Sequence, residues 1–442
     1  MLRFAPSPTG DLHIGNLRIA LINHLVARQR GEELLVRIED TDRERNIEGK
    51  DREIVELLKL FGVKFNRVLY QSQNFPFHRQ LAYRLVEEGK AFPCFCSEDQ
   101  IAIEREKARL EKRPYRYSGR CEQLTKEEVK KLLEKGVPYT IRIKKPTGPI
   151  EFTDLVKGEL RFDPFEVDSF IILRRDGTPT YNFACAVDDM LGDISLVIRG
   201  EDHLSNTPKQ IHIRQMLGYT KPIQYAHIPI ILNSEGKKLS KRERSSSVKW
   251  LLEEGFLPEA IANYLIVLGN TLPKELFDLE EAVHLFRLEK ISKAPARFDM
   301  EKLKFINRYH LQKLAERERL TSILKLPEEL EGLARLYVGE VSTLKELKER
   351  LLNLYNRPDY GELEEEALLL KGEILKMVQE LGGLPEEYNR FKKLLMERTG
   401  LKGKRFFMPL RLLLIGTPHG PEIKDLYAAL FPIIPKLLEE YR

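Results

Sequence analysis

Long apolar runs are absent from this sequence of 442 residues. A membrane-spanning helix needs about 20 consecutive apolar residues, and the apolar stretch at 410–415 is short and broken by Arg411. The N-terminus also lacks the basic segment and the apolar core of a secretory signal. We therefore expect no membrane association and a cytoplasmic location.

Cysteine is scarce, and neither sign of charge prevails. Four cysteines do not make a disulfide framework in a chain of this length, which favours a reducing cytosol. The 73 basic and 68 acidic residues leave a net charge of only +5. This imbalance neither requires nor excludes a nucleic-acid partner, so the placement of charge has to decide.

The N-terminal region alternates strand-like and helix-like segments. Residues 2–5 and 34–38 predict strands, and between them an apolar stripe predicts a helix that ends near Gly31. This order is typical of the opening of a parallel α/β sheet. The same pattern resumes with predicted strands at 194–198 and 228–231.

Two other regions depart from this pattern. Residues 94–185 combine a charged helix with short strand-like segments, such as 139–143 and 170–173, and we interpret them as an insertion. From about residue 249 the pattern is helical, with an apolar repeat at steps of three and four over 363–381. The last ~130 residues therefore predict an all-helical domain.

Two segments carry candidate chemistry. Residues 3–16 lie between a strand and a helix, where α/β folds bind ligands and helix N–H groups attract anions. There His13 can donate to a phosphate, and Gly15 lets a purine or ribose approach the backbone. The second segment, 236–244, has five basic residues and one acidic residue, a net charge of +4. Taken alone, the first could be a turn whose histidine caps a helix, and the second a solvated basic loop.

Together these segments, in the forms His-Ile-Gly-Asn and Lys-Leu-Ser-Lys-Arg, resemble the paired signatures of class I aminoacyl-tRNA synthetases. Four stretches narrow the resemblance to the glutamyl-tRNA synthetase family: 3–16, 37–42, 181–189 and 197–208. The resemblance implies a multidomain α/β protein, in which a Rossmann-like parallel-sheet catalytic domain holds an α+β insertion and all-α domains follow.

The resemblance also divides the chain. It implies two halves of a catalytic domain at 1–93 and 186–245, and between them a connective insertion at 94–185 that binds the tRNA acceptor end. A stem-contact helical region at 246–308 and an anticodon-binding helical domain at 309–442 complete the division. The chain looks short for the family, with the deficit in its helical half.

The implied reaction has two steps. The α-carboxylate of glutamate attacks the α-phosphate of ATP, which is accompanied by Mg²⁺, and a ribose hydroxyl of tRNA then takes the glutamyl group. Catalysis would consist of positioning and charge stabilisation without a protein nucleophile. The resemblance assigns catalysis to His13, Lys238 and Lys241. It assigns ATP binding to Thr9, His13, Gly15, Asn16, Glu201, Ile231, Lys238 and Lys241.

Glutamate presents two carboxylates, which favour two guanidinium groups, and one ammonium group, which the resemblance pairs with Glu39. Cys185 departs from the family pattern, since some members have a polar side chain there that reaches the substrate. We therefore predict only that Cys185 lines the pocket. The implied glutamate site consists of Arg3, Ala5, Ser7, Glu39, Tyr181, Cys185 and Arg199.

Three further cysteines leave two alternatives open. Some relatives bind zinc with Cys-x-Cys and then Cys-x-His, but Gln123 stands in the place of that histidine and is a poor ligand. A second pattern in the superfamily has a tyrosine four residues before the last cysteine, and Tyr117 fits it. The group is either a structural Zn²⁺ site or a set of ordinary buried thiols. Its members are Cys94, Cys96, Tyr117 and Cys121.

The resemblance implies that tRNA is the nucleic-acid partner. Basic residues beside Phe406 and Phe407 suit unstacked bases, although a solvated turn beside a core pair is an alternative. The predicted tRNA contacts are Arg45, Lys402, Lys404 and Arg405. We expect a monomer that charges tRNA(Glu). The alternative is a paralogue that glutamylates tRNA(Gln) for a tRNA-dependent amidotransferase.

Other functions fit less well. Glutaminyl-tRNA synthetase must accept a neutral amide, for which two arginines are less apt. A small-molecule nucleotidyltransferase needs neither the insertion nor the basic loop, and the enzyme that glutamylates a base of tRNA(Asp) has no anticodon domain. A non-catalytic RNA-binding factor would not need the intact residues of the site.

Overall fold

The computed structural model describes residues 1–42, 44–240, 243–355, 365–417 and 419–439. The chain forms two compact units, the first from residues 1–249 and 265–298, the second from 250–264 and 299–442. The strands are β1 Leu2–Phe4, β2 Leu34–Ile38, β3 Arg67–Tyr70, β4 Ala91–Cys94, β5 Thr140–Ile143, β6 Ile150–Asp154, β7 Gly158–Phe162, β8 Ile171–Leu173, β9 Leu196–Gly200, β10 Gln224–Ile228, β11 Ile231–Leu232 and β12 Ala296–Arg297.

The helices of the first 299 residues are α1 Ile14–Arg30, α2 Lys50–Leu60, α3 Phe75–Glu87, α4 Glu98–Leu110, α5 Lys126–Glu134, α6 Pro164–Val167, α7 Tyr181–Leu191, α8 Thr207–Met216, α9 Val248–Glu253, α10 Pro258–Val267 and α11 Leu279–Leu285. The later helices are α12 Met300–Arg317, α13 Leu320–Leu324, α14 Glu331–Tyr337, α15 Leu344–Tyr355, α16 Glu365–Leu381, α17 Tyr388–Thr399, α18 Lys404–Ile415, α19 Ile423–Leu430 and α20 Ile434–Glu439.

A seven-stranded sheet forms the core of the first unit, in the order β3-β2-β1-β9-β10-β6-β7. Its pairs are parallel except that between β6 and β7. The chain builds β2 and β3 on one side of β1 and later returns to place β9 and β10 on the other side. The strand order therefore reverses between β1 and β9, where α/β sheets leave a crevice at the carboxyl ends of the strands.

The predicted strand–helix–strand opening is confirmed. Strands β1 and β2 are buried throughout, as expected of parallel strands that are covered on both faces. The side chain of His13 accepts a hydrogen bond from Gly15 at the start of α1. The helix ends at Gly31, which has a φ of +63°, because glycine adopts this left-handed conformation without a steric penalty.

The region predicted as an insertion does not form one separate body. Strands β4, β5 and β8 make a small antiparallel sheet, whereas the β6–β7 hairpin joins the edge of the large sheet through β10. Local sequence patterns do not reveal that β6 pairs with β10, because these two strands lie far apart in the chain. The five-part division of the chain stays a prediction.

The predicted strand at 228–231 is wrong in its position. The strand β10 ends at Ile228, and the next residue is Pro229, which has no N–H to donate. The Pro229 carbonyl instead accepts a hydrogen bond from Arg18 of α1. Residues 231 and 232 form the separate short strand β11, which pairs with β12.

The second unit is helical in the part of the chain that the structure describes. The apolar repeat predicted over 363–381 appears as α16, whose core positions include Leu370, Ile374 and Met377, all fully buried. The first residues of that prediction, 363 and 364, lie outside the described residues. Among the helices described here, none is long and apolar enough to cross a membrane.

Candidate active site

A cavity of about 510 Å³ lies at the carboxyl ends of β1 and β9. The loop between β1 and α1 forms one wall, and the residues that follow β9 and β10 form another. Two backbone hydrogen bonds hold that loop: Pro6 accepts from the N–H of Glu39, and Pro8 accepts from that of Ile47, each over 2.9 Å. The sequence thus folds two loops against each other at the switch point of the sheet.

Arg3 and Glu39 line the cavity and share a buried charge network. Arg3 Nε donates to Asp189 Oδ1 over 3.2 Å, and Arg37 donates to the same oxygen over 2.6 Å. Arg37 also donates to Glu39 Oε1 over 3.2 Å. Burial alone would raise the pKa of Asp189, but Arg3 and Arg37 hold it well below its ordinary value. The network therefore holds the guanidinium group of Arg3 and the carboxylate of Glu39 in fixed positions at the cavity.

Arg199 also lines the cavity. Its Nη1 donates to Gln210 over 2.9 Å, its Nη2 donates to Thr207 over 2.7 Å, and its Nε lies 3.1 Å from His227 Nε2. A guanidinium group has five N–H donors. These three contacts leave two donors on the two terminal nitrogens, which suits a carboxylate bound by both.

Cys185 lies beneath Glu39 rather than on the cavity surface. It is 2% exposed, and its thiol donates to Glu39 Oε1 over 3.0 Å. Burial and the Glu39 carboxylate raise the pKa of Cys185, so the thiol keeps its proton. Cys185 is not among the described residues that line the cavity, and its contact with the site is the hydrogen bond to Glu39.

The start of α1 and the basic loop also contribute to the wall of the cavity. His13 Nδ1 accepts the Gly15 N–H over 3.0 Å, so the neutral ring carries its proton on Nε2. A Cβ at Gly15 would stand 3.2 Å from His13 Nδ1, which explains the glycine. The imidazole is thus both a helix cap and a possible donor, whereas the sequence presented these as alternatives.

Among the lysines of the basic loop that the structure describes, Lys238 lines the cavity. It is bridged to Leu232 across the loop, and its ammonium group lies 3.3 Å from Asp202. Glu201, which the resemblance assigns to ATP binding, accepts the Ile230 N–H over 2.9 Å and pairs with Lys157. Lys241, the other predicted catalytic lysine, lies outside the described residues.

The cavity brings together most of the predicted substrate residues. The thirteen that line it are Arg3, Ala5, Ser7, Thr9, His13, Gly15, Asn16, Glu39, Arg45, Tyr181, Arg199, Ile231 and Lys238. Glu201 and Cys185 are not among the described residues that line it. Segments far apart in the chain thus converge on one cavity, and several cationic side chains line it.

Comparison with known proteins decides the family. A family profile described as "tRNA synthetases class I (E and Q), catalytic domain" matches residues 1–305, and one described as "Anticodon binding domain" matches 304–430. Glutamate–tRNA ligase 1 of a Nitratiruptor species is 60% identical over 431 residues, which cover 97% of this chain and 98% of that protein. The chain belongs to the glutamate–tRNA ligase family.

Other members of the glutamate–tRNA ligase family agree along the whole chain. Glutamate–tRNA ligase 1 of Campylobacter jejuni serotype O:23/36 is 55% identical over 427 residues, which cover 97% of each chain. A crystal structure of a glutamate tRNA ligase from Elizabethkingia meningosepticum, in complex with its amino acid, matches with a TM-score of 0.84 and 29% identity, covering 100% of this chain and 99% of that one. The expectation that the chain is short is therefore wrong for these relatives.

Sequence reasoning missed several residues of this synthetase cavity. Asp202 and His203 line it, and the Tyr181 hydroxyl lies 3.0 Å from His203 Nδ1. Asp202 and His203 belong to the stretch 197–208 that carries the resemblance, so the sequence contained a signal that could have identified them. The roles of Arg37 and Asp189 had no comparable signal, because they depend on side chains that meet across separate strands and helices.

The synthetase chain also contains a compact cysteine cluster. The thiols of Cys94, Cys96 and Cys121 lie within 4.8 Å of one another and are buried. The Tyr117 hydroxyl lies 3.4 Å from Cys94 Sγ and 3.8 Å from Cys96 Sγ. Arg142 donates to Cys94 Sγ over 3.3 Å. Three sulfur atoms and one phenolic oxygen thus converge, and thiolate sulfur is a common ligand of Zn²⁺ in structural sites.

The predicted tRNA contacts in the helical unit are exposed. They are Lys402, Lys404 and Arg405, and Arg405 pairs with Glu366 over 2.8 Å. Phe406, however, is completely buried and packs edge-to-face on Phe407. The idea that Phe406 stacks on a base is therefore wrong, because its ring belongs to the core of this unit.

Proposed function

We propose that this chain ligates L-glutamate to the 3′ end of tRNA through a glutamyl-adenylate, with release of AMP and pyrophosphate. One observation carries the proposal: Arg3, Arg199 and Glu39 line the same cavity as His13 and Lys238. A cavity with two guanidinium groups and one carboxylate complements an acidic amino acid, and the same cavity presents a helix N-terminus and a lysine that suit phosphates. Membership of the family supports the same reaction.

Glutamate binding would use the buried network. The Arg199 guanidinium can offer two N–H groups to one carboxylate, and Arg3 can approach the other. Glu39, which Arg37 and Cys185 hold in place, would take the ammonium group. A glutamine side chain would leave one guanidinium with a neutral amide, and this mismatch disfavours glutamine.

Activation of glutamate would occur at the other end of the cavity. ATP, with its Mg²⁺, would place its triphosphate near the N-terminus of α1, where His13 Nε2–H can donate to a phosphate oxygen. Lys238, with Lys241 from the basic loop, would stabilise the charge that develops on pyrophosphate. The Thr9, Gly15, Asn16 and Ile231 positions would hold the nucleotide. The chemistry needs positioning and charge stabilisation rather than a protein nucleophile.

A structural Zn²⁺ at the cysteine cluster belongs to this proposal. Cys94, Cys96, Tyr117 and Cys121 would hold it, and the ion would stiffen the segment that connects β4 to α5. Metal analysis after dialysis tests it: about one equivalent of zinc per chain is expected, and less than a tenth of an equivalent would remove the idea. Replacement of Cys121 by serine should lower both the zinc content and the melting temperature.

tRNA(Glu) is the proposed substrate, and the alternative is the paralogue that charges tRNA(Gln) for an amidotransferase. Charging purified tRNA(Glu) and tRNA(Gln) separately with labelled glutamate tests this choice. Glutamylation of tRNA(Glu) alone is expected, whereas glutamylation of tRNA(Gln) alone would establish the alternative. Failure to charge either tRNA, in a protein that also shows no pyrophosphate exchange, would overturn the proposed reaction. The monomeric state and cytoplasmic location stay predictions.

A further inference from the structure

A line of buried polar side chains leads away from the cavity behind Arg199. His227 on β10 stands opposite Arg199 on β9, and Asp154 at the end of β6 stands beside β10. Arg199, His227 and Asp154 are 7%, 0% and 1% exposed. The line therefore crosses three adjacent strands of the large sheet, and the roles proposed above do not use its inner two members.

The donors around His227 determine which ring nitrogen carries the proton. Arginine offers only donors, so the 3.1 Å contact from Arg199 Nε requires His227 Nε2 to be an unprotonated acceptor. Nδ1 then carries the proton and donates to Asp154 Oδ2 over 2.7 Å. Thr207 Oγ1 lies 3.0 Å from the same Nε2 and can donate its hydroxyl proton there. The neighbours thus leave one ring tautomer.

Asp154 is itself held rigidly. Its Oδ1 accepts the backbone N–H groups of Val156 and Lys157 over 2.9 and 2.8 Å. Its Oδ2 accepts the backbone N–H of His227 over 3.1 Å, in addition to the ring N–H. Burial lowers the pKa of His227 below its ordinary value, although the hydrogen bond with Asp154 opposes that shift. A neutral imidazole therefore joins a fixed carboxylate to the guanidinium group.

We propose that Asp154 and His227 are positioning residues for Arg199. Asp154 selects the tautomer with the proton on Nδ1, and His227 Nε2 holds Arg199 Nε so that the two remaining N–H groups face the substrate carboxylate. This inference rests on the proposed function of the cavity, since it assumes that Arg199 binds a carboxylate of glutamate. Loss of the contact would let the guanidinium group rotate and weaken glutamate binding, while the end of the cavity that holds ATP stays intact.

Two amide variants at one position separate this role from general packing. The amide of His227→Gln reaches the distance of Nε2 and keeps an acceptor for Arg199, whereas that of His227→Asn reaches only the distance of Nδ1. In pyrophosphate exchange with tRNA present, His227→Asn should raise the KM for glutamate by about 10- to 100-fold, the effect of a lost hydrogen bond to a charged group. The kcat and the KM for ATP should change little, and His227→Gln should restore most of the glutamate affinity.

Asp154→Asn tests the tautomer. The new amide keeps its oxygen toward Val156 and Lys157 and turns an N–H toward His227 Nδ1, which moves the ring proton to Nε2, against Arg199. The KM for glutamate should rise as in His227→Asn. The ¹⁵N spectrum of histidine-labelled wild-type protein should show the proton of His227 on Nδ1, a signal identified by its loss in His227→Gln.

The outcomes separate this inference from the proposed reaction. A wild-type His227 protonated on Nε2 would overturn the positioning role even in an active enzyme. Folded His227→Asn with the wild-type KM for glutamate would also overturn it. A wild-type protein that shows the expected tautomer but activates no glutamate would instead refute the proposed function.

Discussion

Replacement of Asp189 by asparagine removes the carboxylate that Arg3 and Arg37 both contact, at 3.2 and 2.6 Å. Asp189 is 0% exposed, and Arg3 and Arg37 are 3% and 2% exposed. Removal of one partner of a buried ion pair costs about 3–5 kcal/mol, because the remaining charge stays buried. Asparagine keeps one acceptor oxygen, so we expect the lower end, about 3 kcal/mol, which corresponds to a melting temperature lowered by about 3–5 °C for a chain of this size.

The pH dependence of this loss follows from the pKa of Asp189, which the two arginines hold well below its ordinary value. A lowered folded-state pKa contributes stability that is present above the unfolded pKa, about 3.9, and is lost as the pH falls through the folded value. The difference in melting temperature between wild type and Asp189→Asn should therefore be constant from pH 7 to about pH 5 and narrow below about pH 4.

Calorimetry measures the stability, and pyrophosphate exchange measures the KM for glutamate, which should rise because Arg3 loses the contact at its Nε. Asp188→Asn is the matched control. Asp188 is also buried but accepts from Gln71, Asn74 and His78, so this variant should lose stability without a comparable rise in KM. The reasoning is refuted if Asp189→Asn melts and binds glutamate like the wild type, or if Asp188→Asn raises the KM equally.

Three further predictions concern substrate binding. Arg199→Ala should raise the KM for glutamate. Lys241→Ala should slow adenylate formation and leave glutamate binding largely intact. Unchanged kinetics in either variant would refute the role assigned to that residue. The affinity for tRNA should fall steeply as salt increases, because phosphate contacts release counterions, and a flat response in a filter-binding titration would contradict an extended phosphate-contacting surface. Lys404→Ala should weaken the binding of different tRNA sequences to a similar extent and reduce the slope of log affinity against log salt concentration by about one. The neighbouring core variant Phe406→Leu should lower the stability of the protein instead.

The local parts of the fold could be predicted from the sequence, and the pairings between distant segments could not. The apolar stripe of α1 and the glycine after it specify where that helix lies and ends, because these are local steric preferences. By contrast, the edge position of the β6–β7 hairpin depends on pairing with β10, about 70 residues later. Local propensity carries no information on such a partner.

The candidate site shows the same division. Residues that belong to a contiguous motif, such as His13 and Arg199, line the cavity as the resemblance implied. Glu201 is not among the described residues that line the cavity, and its two carboxylate oxygens accept from Lys157 and the Ile230 N–H. Asp154, which supports the site from another strand, has no motif of its own. The supporting residues could be found only once the sheet order was known.

A crystal structure with glutamate and a nonhydrolysable ATP analogue tests the central claim most directly. The account predicts that both ligands occupy the cavity together, with Arg3 and Arg199 on the two glutamate carboxylates, Glu39 on its ammonium group, and His13 beside the triphosphate. Glutamate bound elsewhere, or a triphosphate that lies away from the start of α1, would contradict it.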